Sequence, residues 1–239
     1  MSRPRGGRAR APHRARTALL ALVTVLALVL AVPTVRVLDL TVHPRVDAPE
    51  HVDALLVLYS RPEVYDAALD LAGRGVADHL FVSAHMGPDG HEKLCGEQAH
   101  TDPRLAGVSV ECFDPSPVTT QGEAVYAARR MHELGLHDLG VLTFGQHIER
   151  ARLLTTRCWA PEDGTVSMYA FDPGLGRLEA ARHTLYGVLA HGKAALTPGC
   201  DQELPGPVNW ALDVVKDLRG QPVSTGAAAT VPAVRGGTR

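Results

Sequence analysis

"DALLVLYSRPEVYDAALDLAGRGVADHLFVS", residues 53–83, places an apolar run, a helical period and a second apolar run in succession. The first run, "DALLVLYS" (53–60), has no polar alternation from Ala54 to Leu58, as a strand buried on both faces requires. In the next segment, 61–75, Val64, Ala68, Leu71 and Ala72 recur at helical spacing before glycine ends the pattern. "HLFVS" (79–83) then reads as a second strand. A strand, a helix and a strand in this order call for a right-handed crossover and a parallel pair.

The unit recurs along the chain. "GVSVECF" (107–113), "LGVLTF" (139–144) and "TVSMYAF" (165–171) read as strands, and 119–135, 146–158 and 177–196 as helices. Residues 51–205 are therefore expected to form one α/β domain with a mainly parallel sheet covered by helices on both faces. "PVNWALDVVKDL" suggests a C-terminal helix over 206–218, and 219–239, without apolar period, a disordered tail.

The segment before the domain has a different character. Residues 1–16 hold six arginines and no acid, a basic leader, and nineteen uncharged residues follow between Arg16 and Arg36. As a helix the stretch 17–35 would be about 28 Å long, close to the hydrocarbon thickness of a bilayer. It is expected to be a transmembrane signal anchor, with the leader cytoplasmic and the domain extracytoplasmic, single-pass in the plasma membrane. A cleaved secretory peptide is the rival reading. Residues 36–50, with two prolines and no helical period, read as a stalk.

Without the six leader arginines, 18 basic residues face 26 acidic ones, so the exported part is acidic and unsuited to nucleic acid. Four cysteines, Cys95, Cys112, Cys158 and Cys200, all lie beyond the anchor and form no Cys-x-x-Cys pair. Disulfides fit an exported domain. Of the three connectivities, Cys95–Cys112 with Cys158–Cys200 is favoured because each closes a loop between neighbouring elements, free buried thiols being the alternative.

In open parallel sheets ligands bind beyond the carboxyl ends of the strands. That rule selects Ser60 and Arg61 after the first strand, Ser83 and His85 after the second, Asp114, Ser116, Thr119, Thr120 and Glu123 after the third, and Thr143, His147 and Arg150 after the fourth. His147 and Arg150, three apart, share a helical face near an N-terminus, where an anion is favoured. The bland reading pairs Arg150 with Glu123 or Glu149 and makes His147 a cap. Thr120-x-x-Glu123 is likewise a capping box by pattern, although a carboxylate facing a histidine and an arginine also suits general acid/base work.

Four stretches carry a resemblance over about 53–200. "DALLVLYS" is similar to the opening strand, and "RPEVYDAALDLAGRGVADHLFVS" to the arginine-led helix and second strand, of the YdcF-like family. This is domain of unknown function 218, whose relatives include the SanA and ElyC envelope proteins. "PSPVTTQGEA" (115–124) resembles its Thr-x-Glu-Asn or Thr-x-Gly-Glu-Ala helix start, and "VLTFGQHIERARLL" (141–154) its Thr-Ser-x-x-His-x-x-Arg-Ala segment. The resemblance implies a Rossmann-like three-layer αβα domain tethered by N-terminal membrane helix, associated with envelope integrity or cell-wall precursor metabolism, and no settled reaction. Thr143, His147 and Arg150 occupy the polar positions of the last motif.

Two departures bear on chemistry. Tyr59 and Ser60 stand where many relatives have glycines, and Ser83-Ala84-His85 where they have Ser-Gly-Gly, so a glycine-built phosphate cradle is not expected. No G-x-G-x-x-G or G-x-S-x-G is present, no cofactor is assigned, and His85, Asp89 and His91 lack regular zinc spacing, so no metal is expected. One reading is then an enzyme or binder for a small phosphate-bearing envelope metabolite. In it Arg61 and Arg150 hold the anion, Ser83, Thr119, Thr120 and Thr143 line the cleft, and His147 acts as general acid/base oriented by Glu123. The alternative is a non-catalytic envelope scaffold with a degenerate pocket. Substrate, reaction and oligomeric state are not written in these residues.

Overall fold

The computed structural model describes residues 11–84, 88–197 and 199–200. The expected C-terminal helix and tail lie outside the described residues, as does His85 of the candidate metal loop; so do the side chains of Asp89 and His91.

Five strands, β1 (Val52–Val57), β2 (Ala77–Ser83), β3 (Ser109–Phe113), β4 (Asp138–Phe144) and β5 (Thr165–Phe171), pair in the order β3-β2-β1-β4-β5, every pair parallel. The two-sided apolar run of β1 explains its central place. Leu55 and Val57 enter one core with Val64, Tyr65, Ala68, Leu69 of helix α2 (Glu63–Gly73) and Leu94 of α3 (Pro88–Cys95). Ala54, Leu56 and Leu58 enter the opposite core with Ala127 and Met131 of α4 (Thr120–Leu134) and Ile148 and Ala151 of α5 (Ile148–Cys158). Leu55 and Leu56 are both fully buried, and truncating either to alanine should cost about 2–5 kcal/mol. Gly140 in β4 is forced by this packing, since a Cβ there would stand 2.8 Å from the Tyr169 ring and 3.0 Å from Leu55.

The pairing register fixes the site. Val57 aligns with Val82 on one side and Leu142 on the other, so Leu58, Ser83 and Thr143 leave the sheet at one level. The chain turns from building outward on the β2 side to building outward on the β4 side between β1 and β4, the place at the carboxyl edge where open parallel sheets form a ligand crevice.

The N-terminal helix α1 (Ala11–Val42) contains Pro33, and its span Arg16–Val42 is the one among the described residues long and apolar enough to cross a membrane. The expected stalk is corrected in two respects. Residues 36–42 are helical and continue α1, where Thr34, Leu38 and Val42 face Ala181, Thr184, Leu185 and Val188 of α6 (Arg177–Ala195) across a cavity. Residues 43–50 are non-helical but strapped to the domain: Asp47 N–H donates to Met168 O at 2.9 Å, Met168 N–H to Asp47 Oδ2 at 2.8 Å, and Tyr169 OH to Glu50 O at 3.0 Å. The strap thereby covers the exposed edge of β5.

Both expected disulfides are present. Cys95–Cys112 joins α3 to β3 with Cα atoms 5.9 Å apart, and Cys158–Cys200 joins the end of α5 to the segment after α6 at 4.8 Å. Helix α3 itself, a short element with no clear apolar period, was not foreseen in the sequence.

Candidate functional site

Glu123 stands at the centre of the crevice. It lies in the first turn of α4, is 4% exposed, and its Oε1 accepts the backbone N–H of Tyr59 at 3.0 Å, just beyond β1. The capping-box expectation is therefore corrected. Thr119, not Thr120, is the N-cap, with extended backbone and a hydroxyl accepting Gly122 N–H at 3.2 Å. Glu123 turns away from the helix start toward β1. Gly122 makes this turn feasible, because any Cβ there would fall 2.0 Å from the Pro117 carbonyl oxygen.

Burial pushes the Glu123 carboxyl up to about 7, against the Ser83 hydroxyl, the Tyr59 N–H and the charge of Arg150, which each favour ionisation. The Ser83 hydroxyl is fully buried against this carboxyl. Ser60 Oγ is likewise buried and has no hydrogen-bond partner among the described residues.

His147 ends a 3-10 turn, Gly145–His147, that leads from β4 into α5, and is 5% exposed. Its Nδ1 shares a 2.8 Å hydrogen bond with the buried Thr143 hydroxyl and its Nε2 a 3.2 Å bond with Thr120. Desolvation first, then the charges of Arg150 and His183, hold the imidazole well below its ordinary value, so the ring is neutral at physiological pH. Both nitrogens being engaged by threonines, Glu123 does not orient His147. The two threonines do, since Thr143 closes the strand end below the ring and Thr120, freed from capping, reaches it from α4.

The arginines divide. Arg61 donates to Glu179 of α6 at 2.5 Å and lies 3.4 Å from Glu63, so its charge is already matched and it serves as a tie between α2's approach and α6. Arg150 is the opposite case. Glu149, the partner expected for it by sequence proximity, is held instead by Arg45 through three bonds at 2.9, 3.1 and 2.7 Å. Among the described residues Arg150 has no carboxylate within ion-pair distance, its Nε is buried without a hydrogen bond, and its guanidinium rests 5.4 Å from the centre of the Tyr186 ring.

Among the described residues the crevice thus holds a cation with no carboxylate in ion-pair distance, two buried serine hydroxyls, a neutral histidine and a carboxyl poised near neutrality. Its fixed charge favours an anion, and the planar guanidinium with adjacent hydroxyls suits phosphate or carboxylate oxygens. No three His, Cys, Asp or Glu side chains converge as a metal site would need among the described residues. Sequence reasoning missed Tyr59 N–H, His183 and Tyr186. The first is a backbone group, and the other two come from α6, far along the chain, by tertiary packing that leaves no local pattern; His183 packs edge-on to Phe144 at 5.2 Å.

Comparison of the chain with known protein families, with curated proteins and with solved structures finds no match in any of the three.

Proposed function

We propose that this chain is a YdcF-like protein of the cell envelope, with a Rossmann-like domain anchored in the plasma membrane by α1 and exposed on the extracytoplasmic side, that binds and transforms a small phosphate-bearing anion. The observation that carries the reading is Arg150, a half-buried guanidinium whose charge acts on Glu123 and His147 and which has no carboxylate within ion-pair distance among the described residues. An unpaired cation in a desolvated crevice is costly unless a ligand completes it. The two disulfides and the arginine leader support export of the domain.

In this reading Arg150 grips the anion, with the Ser60 and Ser83 hydroxyls as further donors. His147 accepts a proton at Nε2, where the longer bond to Thr120 is exchanged for the substrate, while the shorter bond from Nδ1 to Thr143 keeps the ring in place. Glu123, near 7, supplies a proton or takes one. Tyr59 and Ser60 in place of glycines favour a second reading, a scaffold with a degenerate pocket, because side chains there narrow the approach of a phosphate to the backbone.

Thermal denaturation of the chain with inorganic phosphate, diphosphate, nucleotides and phosphorylated cell-wall precursors separates the two. A ligand bound by the folded state raises stability as RT ln(1 + [L]/Kd). A rise with one phosphate-bearing compound, absent in Arg150→Ala, supports the enzyme or binder; a flat panel supports the scaffold.

A further inference from the structure

The first turn of α4 sends three side chains to three different elements. Thr120 meets His147 at the start of α5, Glu123 accepts the Tyr59 N–H at the exit of β1, and the Gln121 amide donates to the Cys200 carbonyl at 2.7 Å, across 79 residues of chain. The local contacts of the turn are short in range. Thr119 N–H donates to Pro117 O at 2.8 Å, and the Thr119 hydroxyl accepts Gly122 N–H. They start the helix at Thr120 without fixing how its first turn stands against α5.

Cys200 is a firm point of attachment. It is bonded to Cys158, in the last turn of α5, with Cα atoms 4.8 Å apart. The neighbouring Arg157 donates through one nitrogen to the Ala194 carbonyl, near the end of α6, and to the Thr197 carbonyl, each at 2.7 Å. Thr197 is itself buried. The segment after α6 is therefore held on the last turn of α5 by one covalent bond and two hydrogen bonds from a charged donor. Through Gln121 that attachment is passed to the first turn of α4.

Two ties then run from α5 to consecutive residues of α4. One joins its start, His147 to Thr120; the other joins its end, Cys158 through Cys200 to Gln121. Consecutive side chains leave a helix about 100° apart around its axis. A single contact lets the turn roll about that contact, and a second one set around the axis from it stops the roll. The Thr120–His147 bond is the one at risk, since at 3.2 Å it stands at the long end of the hydrogen-bond range. A roll of about 1 Å at the helix surface would break it, and would move Glu123 in the same turn.

We infer that Gln121 is a positioning residue of the crevice: by holding the Cys200 carbonyl it sets the rotation of the first turn of α4, and so keeps the Thr120 hydroxyl on His147 Nε2 and the Glu123 carboxyl on Tyr59 N–H. Glutamine suits the task. Its amide reaches a carbonyl from the helix surface and adds no charge to a site whose cation is Arg150. Gln121 donates away from the reacting groups, so its loss acts through Thr120 and Glu123. The inference rests on the reading of Thr120, His147 and Glu123 as parts of the anion site, and the state of the His147 ring tests it without any bound anion.

Ring nitrogen NMR of the full chain in detergent micelles, with labelled histidine, reads the two sides of the ring separately, because Thr143 bonds Nδ1 and Thr120 bonds Nε2. The His147 signals are assigned by their loss in His147→Asn. Gln121→Met keeps the length of the side chain and removes the donor; it should move the Nε2 resonance toward its position in Thr120→Val and leave Nδ1 in place. Gln121→Lys, which restores a donor, should return Nε2 to the parent position. Cys158→Ser with Cys200→Ser should move Nε2 as Gln121→Met does, and adding Gln121→Met to that pair should move it no further. Inorganic phosphate should bind Gln121→Met about two- to ten-fold more weakly than the parent, the range of one neutral hydrogen bond. An Nε2 resonance unmoved in Gln121→Met would overturn the inference, as would equal movement of both ring nitrogens, or shifts that add in the triple variant. A displaced Nε2 in Gln121→Met when the parent binds no phosphate would support the positioning by Gln121 and contradict the anion reading.

Discussion

The Glu123 carboxylate and the Tyr59 backbone N–H meet at 3.0 Å across 64 residues of chain. This bond joins the first turn of α4 to the exit of β1 and sets a carboxyl in the crevice with almost no solvent around it. Its cost and its use have the same origin: burial that raises the proton affinity also keeps the group available for proton transfer near neutral pH.

The cost is measurable. A carboxyl raised from 4.5 to about 7 on folding is bound more tightly by its proton in the folded than in the unfolded state. Stability is therefore greatest below about pH 4.5 for this group and is lost as pH rises through 7. Glu123→Gln, which keeps an acceptor for Tyr59 N–H, should stabilise the chain at pH 8 by up to about 3 kcal/mol and leave it unchanged near pH 4. Urea titrations at the two pH values check this. A variant less stable at pH 8 would show that the ionised carboxylate holds the crevice together.

His147 has the opposite dependence. Its folded value is depressed, so its contribution is intact above the unfolded value of 6.5 and is lost as pH falls below it. Ring nitrogen NMR shifts should report a neutral imidazole at pH 6. Thr143→Val strands Nδ1 in a buried site and should cost about 1–3 kcal/mol, whereas Thr120→Val, which removes the longer and less buried bond, should cost less. Equal costs would contradict the assignment of Thr143 as the residue that holds the ring.

The disulfides should differ in weight. They close separations of 17 and 42 residues, for which chain entropy gives about 3 and about 4 kcal/mol. Paired alanine replacement of Cys158 and Cys200 should lower stability more than replacement of Cys95 and Cys112. It should also speed amide exchange in the last turn of α6, which is held to α5 by Arg157 through the Ala194 and Thr197 carbonyls at 2.7 Å each. Slower loss for the second pair would place the larger constraint in α3.

The parallel sheet was legible because β1 is apolar on both faces and α2 is not, a contrast that survives in the sequence alone. Strand ends, and with them Ser83, Thr143 and His147, followed from the same reading. The roles within the crevice did not. Thr120 and Glu123 match a local capping pattern, and only Thr119 taking the capping place, together with the Pro117 carbonyl pressed against Gly122, leaves Glu123 to meet Tyr59 and Thr120 to meet His147. The sequence suggests Arg61 as an anion holder, but Glu179, 118 residues away, neutralises it. For Glu123 the Tyr59 N–H, and for Arg61 the Glu179 carboxylate, both distant in sequence, decided between two locally reasonable outcomes.

Binding of inorganic phosphate and diphosphate to the full chain in detergent micelles, measured by calorimetry for the parent, Arg150→Ala and Arg61→Ala, tests the central claim most directly. The account predicts binding by the parent, a loss of about ten-fold or more in Arg150→Ala from removal of a charge-assisted contact, and near-parental affinity in Arg61→Ala, whose charge is committed to Glu179. Equal affinity in the parent and Arg150→Ala, or no binding by the parent, would contradict it.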